Sequence, residues 1–244
     1  MHKTDMDDLL NIVCVHRELE SDLEFWEILK RSVSLAEGRY LLVVGSNERV
    51  AQVAACREKV LKSPGIELTL ESAAQQHAYE KEIRSAGKKI IQNFTDAGIS
   101  SVGVVGTDRG ILKRDKSGAL TVAEIGSLIG LTRSGVVSVL MTAGTDFERN
   151  VIDINPFLVA LYIDLSLDHI GDNTKGQIIL LVNKLNDTFA AKMDSGSLVD
   201  YNGRDDLQAG LPAVVRDRAT AHPHVIRLLT PVKLGKAQGA RIFL

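Results

Sequence analysis

The sequence predicts an α/β fold in which helices cover both faces of a mainly parallel sheet. Three observations lead to this prediction. Short runs rich in Val, Ile and Leu recur along the chain, as they do in strands buried on both faces. Segments with the 3.6-residue period of a helix lie between these runs. Gly, Asn, Asp and Ser separate the two kinds of segment, as is typical of turns.

Five buried strands are predicted from the apolar runs, and each is expected to be covered on both faces. They are Leu10 to Val15, Tyr40 to Val44, Ser101 to Val105, Val136 to Met141 and Ile178 to Val182. The tail adds two short strand-like pieces, Val225 to Leu229 and Arg241 to Leu244. We expect this pair at an antiparallel edge of the same sheet.

Three helices are predicted between the strands. The first begins after Ser21 and Asp22, whose side chains can cap an N-terminus. The second spans Ser72 to Phe94 and ends at Gly98, a residue type that commonly terminates helices. The third has Pro156 in its first turn, where a missing N–H is tolerated. No linker rich in Pro, Gly or Ser divides the chain, so a single domain with two lobes is expected.

Composition excludes several classes of protein. The 244 residues carry a formal charge of -2, which provides no general attraction to nucleic acid. Cys14 and Cys56 are too few for a disulfide framework, and a reducing compartment is expected. The longest apolar runs are shorter than a membrane span, and the first residues do not resemble a signal peptide. We therefore expect a cytoplasmic protein that binds neither nucleic acid nor membrane.

Four segments are notable for their order and spacing along the chain: Asp96 to Lys113, Ser134 to Asp146, Asp153 to Asp168 and Ile178 to Asp187. In order and spacing they resemble the amino acid kinase family, and within it the N-acetylglutamate kinase group. The resemblance implies a three-layer α/β/α sandwich over residues 1–244. It also implies an N-terminal lobe of about residues 1–150 for an acyl amino acid, and a C-terminal lobe of about 151–244 for ATP.

The chemistry of such a family is phosphoryl transfer to a carboxylate, which needs lysines, glycine amides and Mg²⁺ around the moving charge. The lysine expected after the first strand falls on Cys14, or on His16 if the register shifts. Phe157 stands at the family's aspartate, and Ala213 at its second lysine. The catalytic motifs are therefore degenerate, and no catalytic residue is assigned.

The resemblance places substrate-binding candidates after the second strand and before the third helix. Gly45, Ser46 and Asn47 occupy the family's run of glycines, where they form either a weakened anion site or a plain strand-to-helix turn. Asn155 matches a substrate-binding asparagine. Asp153 precedes the helix, and we expect its side chain to point away from the site.

Nucleotide-binding candidates are Asn183, Lys184 and Asn186, in the loop that the resemblance places beneath ATP. The alternative for Lys184 is a solvated surface residue. Asp108, in the run VGTDRG at Val105 to Gly110, is expected to hold backbone amides of its turn rather than to act in catalysis.

The missing charges set the predicted function. Losing one preorganised charge or donor at a transition state costs about 2.7 to 4 kcal/mol, and several are absent together. We expect an acetylglutamate kinase-like protein that has lost phosphotransfer and acts as a binding, regulatory or assembly subunit. It would form a homo-oligomer or pair with a related subunit, and bind a small amino acid derivative.

Two alternatives are open. The first is an active kinase that phosphorylates the carboxylate of an amino acid or acyl amino acid, with ATP and Mg²⁺ required only in that case. The second, a non-kinase enzyme, has weak support. His222 and His224 lack a third metal ligand in sequence, and Cys14 is expected to be an inert core residue.

Overall fold

The computed structural model describes residues 9–15, 23–35, 38–46, 66–70, 72–167, 174–181, 199–200, 225–229 and 240–243. Four helices belong to this part of the chain: α1 (Leu23–Leu35), α2 (Ala73–Asp96), α3 (Ile125–Arg133) and α4 (Pro156–Leu167). The strands in chain order are β1 (Leu9–Val15), β2 (Arg39–Val44), β3 (Ile66–Leu70), β4 (Ser101–Val105), β5 (Leu112–Arg114), β6 (Leu120–Val122), β7 (Val137–Met141), β8 (Ala143–Thr145), β9 (Val151–Ile154), β10 (Lys175–Leu181), β11 (Val199–Asp200), β12 (Val225–Leu229) and β13 (Ala240–Phe243).

The main sheet contains eight of the described strands, in the order β11-β13-β12-β10-β1-β2-β7-β4. Its central pairs are all parallel, with Val13 of β1 beside Ile179 on one side and Leu42 on the other. β12 and β13 pair antiparallel near the far edge, as the sequence predicts for the tail. The mainly parallel sheet is thus confirmed.

Helices lie on both faces of this sheet. On one face α1 meets α2 through Trp26 and Phe94, whose rings pack edge to face at 6.3 Å. On the other face the Ser138 hydroxyl of β7 donates a hydrogen bond to the Leu128 carbonyl of α3 at 2.9 Å. Val139, the next residue of β7, instead lines a groove beside α2. Because successive side chains of a strand point to opposite faces, the expected three-layer arrangement is confirmed.

Local signals begin two of the predicted helices. Ser72 and Gln75 form a reciprocal capping box, each side chain bonding the other's backbone N–H at 3.2 Å. Pro156 is the first residue of α4, where the sequence predicted it. Residues 156–161 are all buried, because α4 packs against β1, β2 and β10 and also against β6. No helix in the described part combines the length and apolar character required to cross a membrane.

One predicted strand differs in its environment. β4 was expected to be buried on both faces, but it is the outermost strand beside β7, with Val105 buried and Gly103 exposed. The expectation was wrong because β4 carries the same Val-rich composition as a central strand. The apolar composition of β4 reflects the helix that covers one of its faces. Its position at the edge of the sheet depends on the path of the whole chain.

A second sheet of five described strands, in the order β3-β9-β8-β5-β6, was not predicted. Its strands have three to five residues, too few to show a period. The chain passes between the sheets at Thr142, which separates β7 from β8. The fit here is tight, since a Cβ on Gly106 would lie 2.3 Å from the Ala143 carbonyl oxygen.

This contact yields a stability prediction. Gly106→Ala should lower the free energy of unfolding by about 1 to 3 kcal/mol, because backbone must move to admit the methyl group. The matched control is Gly130→Ala at an exposed position of α3, where a Cβ would have no atom within 4 Å and a gain of up to about 1 kcal/mol is expected. Urea denaturation measures the free energy of unfolding of both variants. Equal changes in the two variants would contradict the close contact at Gly106.

Candidate functional site

The carboxyl ends of β1, β2, β7 and β4 lie at one edge of the main sheet, which is where ligands bind in open parallel sheets. Several polar residues converge there. We call Ser46, Thr142, Asp153 and Asn155 the carboxyl-edge cluster. Ser46 follows β2, Thr142 follows β7, Asp153 belongs to β9 and Asn155 precedes α4.

A buried hydrogen bond joins the Ser46 hydroxyl to the Asp153 carboxylate oxygen Oδ2 across 107 residues of sequence. Each of the two residues is 1% exposed. The expectation that Asp153 points away from the candidate site was therefore wrong. β9 returns antiparallel to β8, with Asp153 opposite Ala143, and this hairpin carries the carboxylate back to the end of β2.

Thr142 connects the two sides of the cluster through its backbone. Its N–H donates to the Val44 carbonyl at 3.0 Å, and its carbonyl accepts from the Ile154 N–H at 3.1 Å. The side chain is 0% exposed, and Oγ1 has no hydrogen-bond partner among the described residues. Leaving a buried hydroxyl without a hydrogen bond costs about 1 to 3 kcal/mol of stability. Such a hydroxyl at the edge where parallel sheets bind ligands favours a role for Thr142 in binding.

Sequence reasoning missed Thr142. The available signal was a hydroxyl residue directly after the apolar run of β7, at the end of a predicted parallel strand. That position is shared by many turn residues. Only the burial of Oγ1 distinguishes it from them.

Two predicted substrate-binding residues have structural hydrogen bonds. The Gly45 N–H donates to the Val15 carbonyl at 3.1 Å, so this amide belongs to the β1–β2 pairing. Asn155 Oδ1 accepts from the Phe157 N–H at 2.9 Å and caps α4. Asn47, Asn183, Lys184 and Asn186 lie outside the described residues, and their roles stay predictions.

The two described positions at which the sequence resemblance predicts a charged pair are neutral and buried. Cys14 and Phe157 are each 4% exposed. The Cys14 Sγ lies 3.9 Å from the Pro156 carbonyl oxygen, at the start of α4. Burial raises the pKa of the Cys14 thiol far above its usual range, so the group carries no charge. Its role as an inert core residue is supported, while His16 and Ala213 lie outside the described residues.

Asp108 holds its turn as expected. Its Oδ2 accepts from the Val105 N–H at 3.0 Å, and its Oδ1 accepts from the Arg84 guanidinium at 2.6 Å. Burial raises the pKa of Asp108, but the hydrogen bonds from Arg84 and Val105 and the guanidinium charge outweigh it. The net effect lowers the pKa of this carboxyl.

Metal ligands are not assembled in the part of the chain that the structure describes, where no three His, Cys, Asp or Glu side chains come together. His222 and His224, the sequence candidates, lie outside it. The carboxyl-edge cluster offers one carboxylate and hydroxyl groups. This donor set suits the hydrogen-bonding groups of a small molecule.

This sandwich, with its mainly parallel sheet, has the amino acid kinase fold. Isopentenyl phosphate kinase superposes with a TM-score of 0.64 and 13% identity, over 96% of this chain and 99% of that chain. N-acetylglutamate synthase from Neisseria gonorrhoeae, complexed with coenzyme A and N-acetyl-glutamate, has a TM-score of 0.63 and 12% identity, over 99% and 61% of the two chains. E. coli aspartokinase III, in complex with aspartate and ADP, has a TM-score of 0.58 and 11% identity, over 96% and 64%.

These comparisons show the fold and leave the substrate open. The chain spans less than two thirds of the synthase and aspartokinase chains, and the three neighbours act on chemically different compounds by their names. No family model matches the sequence, and no curated protein matches it. The fold comparisons therefore do not single out the N-acetylglutamate kinase group.

The Asp108 contacts predict a pH-dependent stability difference. Asp108→Asn should lower the free energy of unfolding at neutral pH by less than about 1 kcal/mol, because the Arg84 pair is partly exposed. A lowered folded-state pKa stabilises the fold above the unfolded value of about 3.9. The difference should disappear as the pH falls through the lower folded-state value.

Urea denaturation at a series of pH values measures this difference. Arg84→Gln should remove much of the same pH-dependent part, since it deletes the partner guanidinium. If the difference in the free energy of unfolding between wild type and Asp108→Asn stays constant as the pH falls well below about 3.9, the lowered pKa of Asp108 is contradicted.

Proposed function

We propose that this chain binds a small molecule at the carboxyl-edge cluster, has lost phosphotransfer from ATP, and serves as a binding, regulatory or assembly subunit. The observation that carries the loss of phosphotransfer is the buried neutral pair of Cys14 and Phe157. At these positions the family resemblance implies a lysine and the aspartate that orients it.

Cys14 and Phe157 lack the charges that phosphoryl transfer needs. A transferring phosphoryl group needs preorganised positive donors and Mg²⁺ close to it. A protonated thiol beside a carbonyl oxygen supplies neither a cation nor a metal ligand, and a phenyl ring cannot orient an ammonium group by ion pairing. Cys14 and Phe157 therefore do not fit Mg²⁺-ATP, and no phosphoryl-transfer step is assigned to them.

Binding without transfer remains compatible with the cluster. Ser46 and Asp153 already satisfy one another in part, which holds the carboxylate in place. Thr142 Oγ1 is left to bond a ligand atom. The probe ligands are N-acetylglutamate, from the sequence resemblance, and aspartate and isopentenyl phosphate, from the structural neighbours.

Catalysis is tested by ADP formation from Mg²⁺-ATP in the presence of each probe. We expect none above the rate without protein, because two charged positions are neutral. Acceptor-dependent ADP formation would contradict the loss of transfer. It would favour the alternative of an active kinase that uses other lysines, with Lys184 the first to replace.

Binding is tested by calorimetry, titrating each probe with and without Mg²⁺-ATP. We expect a probe to bind without nucleotide, and Thr142→Val to weaken that binding about ten-fold through loss of one hydrogen bond. The same variant should be as stable as wild type or more stable, since it removes an unsatisfied hydroxyl. Thr121→Val, at an exposed position of β6, is the matched control. Unchanged affinity in Thr142→Val would place the ligand elsewhere.

A further inference from the structure

A polar pocket lies at the edge of the main sheet opposite the carboxyl-edge cluster, where β2, β7 and β4 begin. Its volume is about 320 Å³, at the lower end of the range for small-molecule sites. No residue of the carboxyl-edge cluster lines it, so the two sites are separate. We call it the amino-edge pocket, and its lining includes Ser34, Tyr40, Gly98, Ser100, Thr132 and Gly135.

Tyr40 supplies a buried hydroxyl to this pocket. The residue is 6% exposed, and its hydroxyl neither donates nor accepts a hydrogen bond among the described residues. Burial raises the pKa of Tyr40 to about 12, so the hydroxyl is protonated at neutral pH and can donate. Buried polar groups are normally hydrogen-bonded, because an unsatisfied one lowers stability. The Tyr40 hydroxyl is therefore the first group in the pocket to bond a ligand.

The residue at position 38 keeps the Tyr40 hydroxyl accessible. A Cβ on Gly38 would lie 3.6 Å from Cε2 of Tyr40 and 3.7 Å from its hydroxyl oxygen. A side chain there would cover both atoms and narrow the pocket, which Gly38 also lines. The glycine thus leaves one side of the tyrosine open to a ligand.

The C-terminal ends of α2 and α3 border the pocket and offer it hydrogen-bond acceptors. The N–H groups of Gly98 and Ile99 donate to carbonyls in the last turn of α2 at 2.9 Å. Those of Gly135 and Val136 donate to carbonyls in the last turn of α3 at 3.2 and 3.3 Å. Because these amides are used within the protein, the backbone at these positions can offer a ligand only carbonyl oxygens. A ligand with several hydrogen-bond donors therefore fits this lining.

The charges around the pocket favour an uncharged ligand. No Asp, Glu, Lys or Arg is among the described residues that line it. Helix C-termini carry partial negative charge, which disfavours an anion. The Arg39 guanidinium is buried next to the pocket, with its Nε donating to Thr132 Oγ1 at 3.2 Å, and this cation disfavours a second one. A charged group would lose its hydration here without gaining a partner.

We propose that the amino-edge pocket binds a small uncharged polyol the size of a hexose ring. Its hydroxyl groups donate to carbonyl oxygens at the ends of α2 and α3 and accept from the Tyr40 hydroxyl. The exposed Ser34 and Ser100 hydroxyls bond further oxygens, and Val33 and Val137 provide apolar surface for the carbon ring. A polyol suits this lining because each of its hydroxyls both donates and accepts.

Isothermal titration calorimetry of the full chain tests the proposal, with glucose and myo-inositol as neutral probes. At least one of them should bind saturably, with a dissociation constant below about 1 mM. Glucosamine and glucuronate keep the hexose ring and add a positive or a negative charge. At about pH 6, where the amine is protonated, each should bind at least about ten-fold more weakly than the better neutral probe. No saturable binding of either neutral probe, or equally tight binding of a charged sugar, would overturn the proposal.

Tyr40→Phe shows whether the bound polyol lies in the amino-edge pocket. The variant should weaken binding about ten-fold through loss of one hydrogen bond. Its free energy of unfolding should equal or exceed that of wild type, because the hydroxyl has no partner among the described residues. Urea denaturation measures that free energy.

Ser134→Ala is the matched control, because Ser134 is an exposed residue next to Gly135 that does not line the pocket. Its affinity for the polyol should equal that of wild type. Unchanged affinity in Tyr40→Phe, or an equal loss in Ser134→Ala, would overturn the proposal. Loss of polyol binding in Thr142→Val would also overturn it, because the polyol would then occupy the carboxyl-edge cluster.

Discussion

The fold depends on the passage of the chain from one sheet to the other at Thr142. β7 ends at Met141 and β8 begins at Ala143, so a single residue belongs to neither sheet. Its backbone is bonded to the end of β2 and to β9. Gly106 lies against the Ala143 carbonyl where a side chain would clash. Because interiors are close-packed, this junction determines how the second sheet sits on the main one.

The candidate site follows from that junction. Since β9 returns beside β8, Asp153 reaches Ser46 at the end of β2, and the next residues begin α4. α4 is then enclosed between the main sheet and β6, which explains why its first residues are buried on every side. Residues 156–161 of this helix therefore have no solvated face. An apolar residue such as Phe157 is buried in the first turn at no desolvation cost, whereas a buried carboxylate there would need a cationic partner.

The chemistry at this edge contrasts with what a phosphotransferase requires. The buried groups supplied by β1 and α4 are a neutral thiol and a phenyl ring, while the nearby hydroxyls and carboxylate belong to the connections between sheets. Such an edge can hold a ligand by hydrogen bonds without stabilising a migrating phosphoryl charge. The amino acid kinase fold fixes where this edge lies, whereas the function depends on the polar groups at the site rather than on the fold.

The sequence by itself determined the elements whose signals are local. The apolar runs placed β1, β2, β7 and the parallel sheet, the predicted helix from Ser72 to Phe94 matches α2, and Pro156 placed the start of α4. These signals act between residues close in the chain, so they survive in a one-dimensional pattern.

Only the tertiary structure decided the features that depend on distant pairing. The edge position of β4, the pairings of β3 with β9 and of β5 with β8, and the bond between Ser46 and Asp153 depend on residues far apart in sequence. A strand of Val residues looks the same at the centre and at the edge of a sheet, because one covering helix suffices to require apolar side chains. The burial of Thr142 Oγ1 likewise becomes visible only when β2, β7 and β9 meet around it.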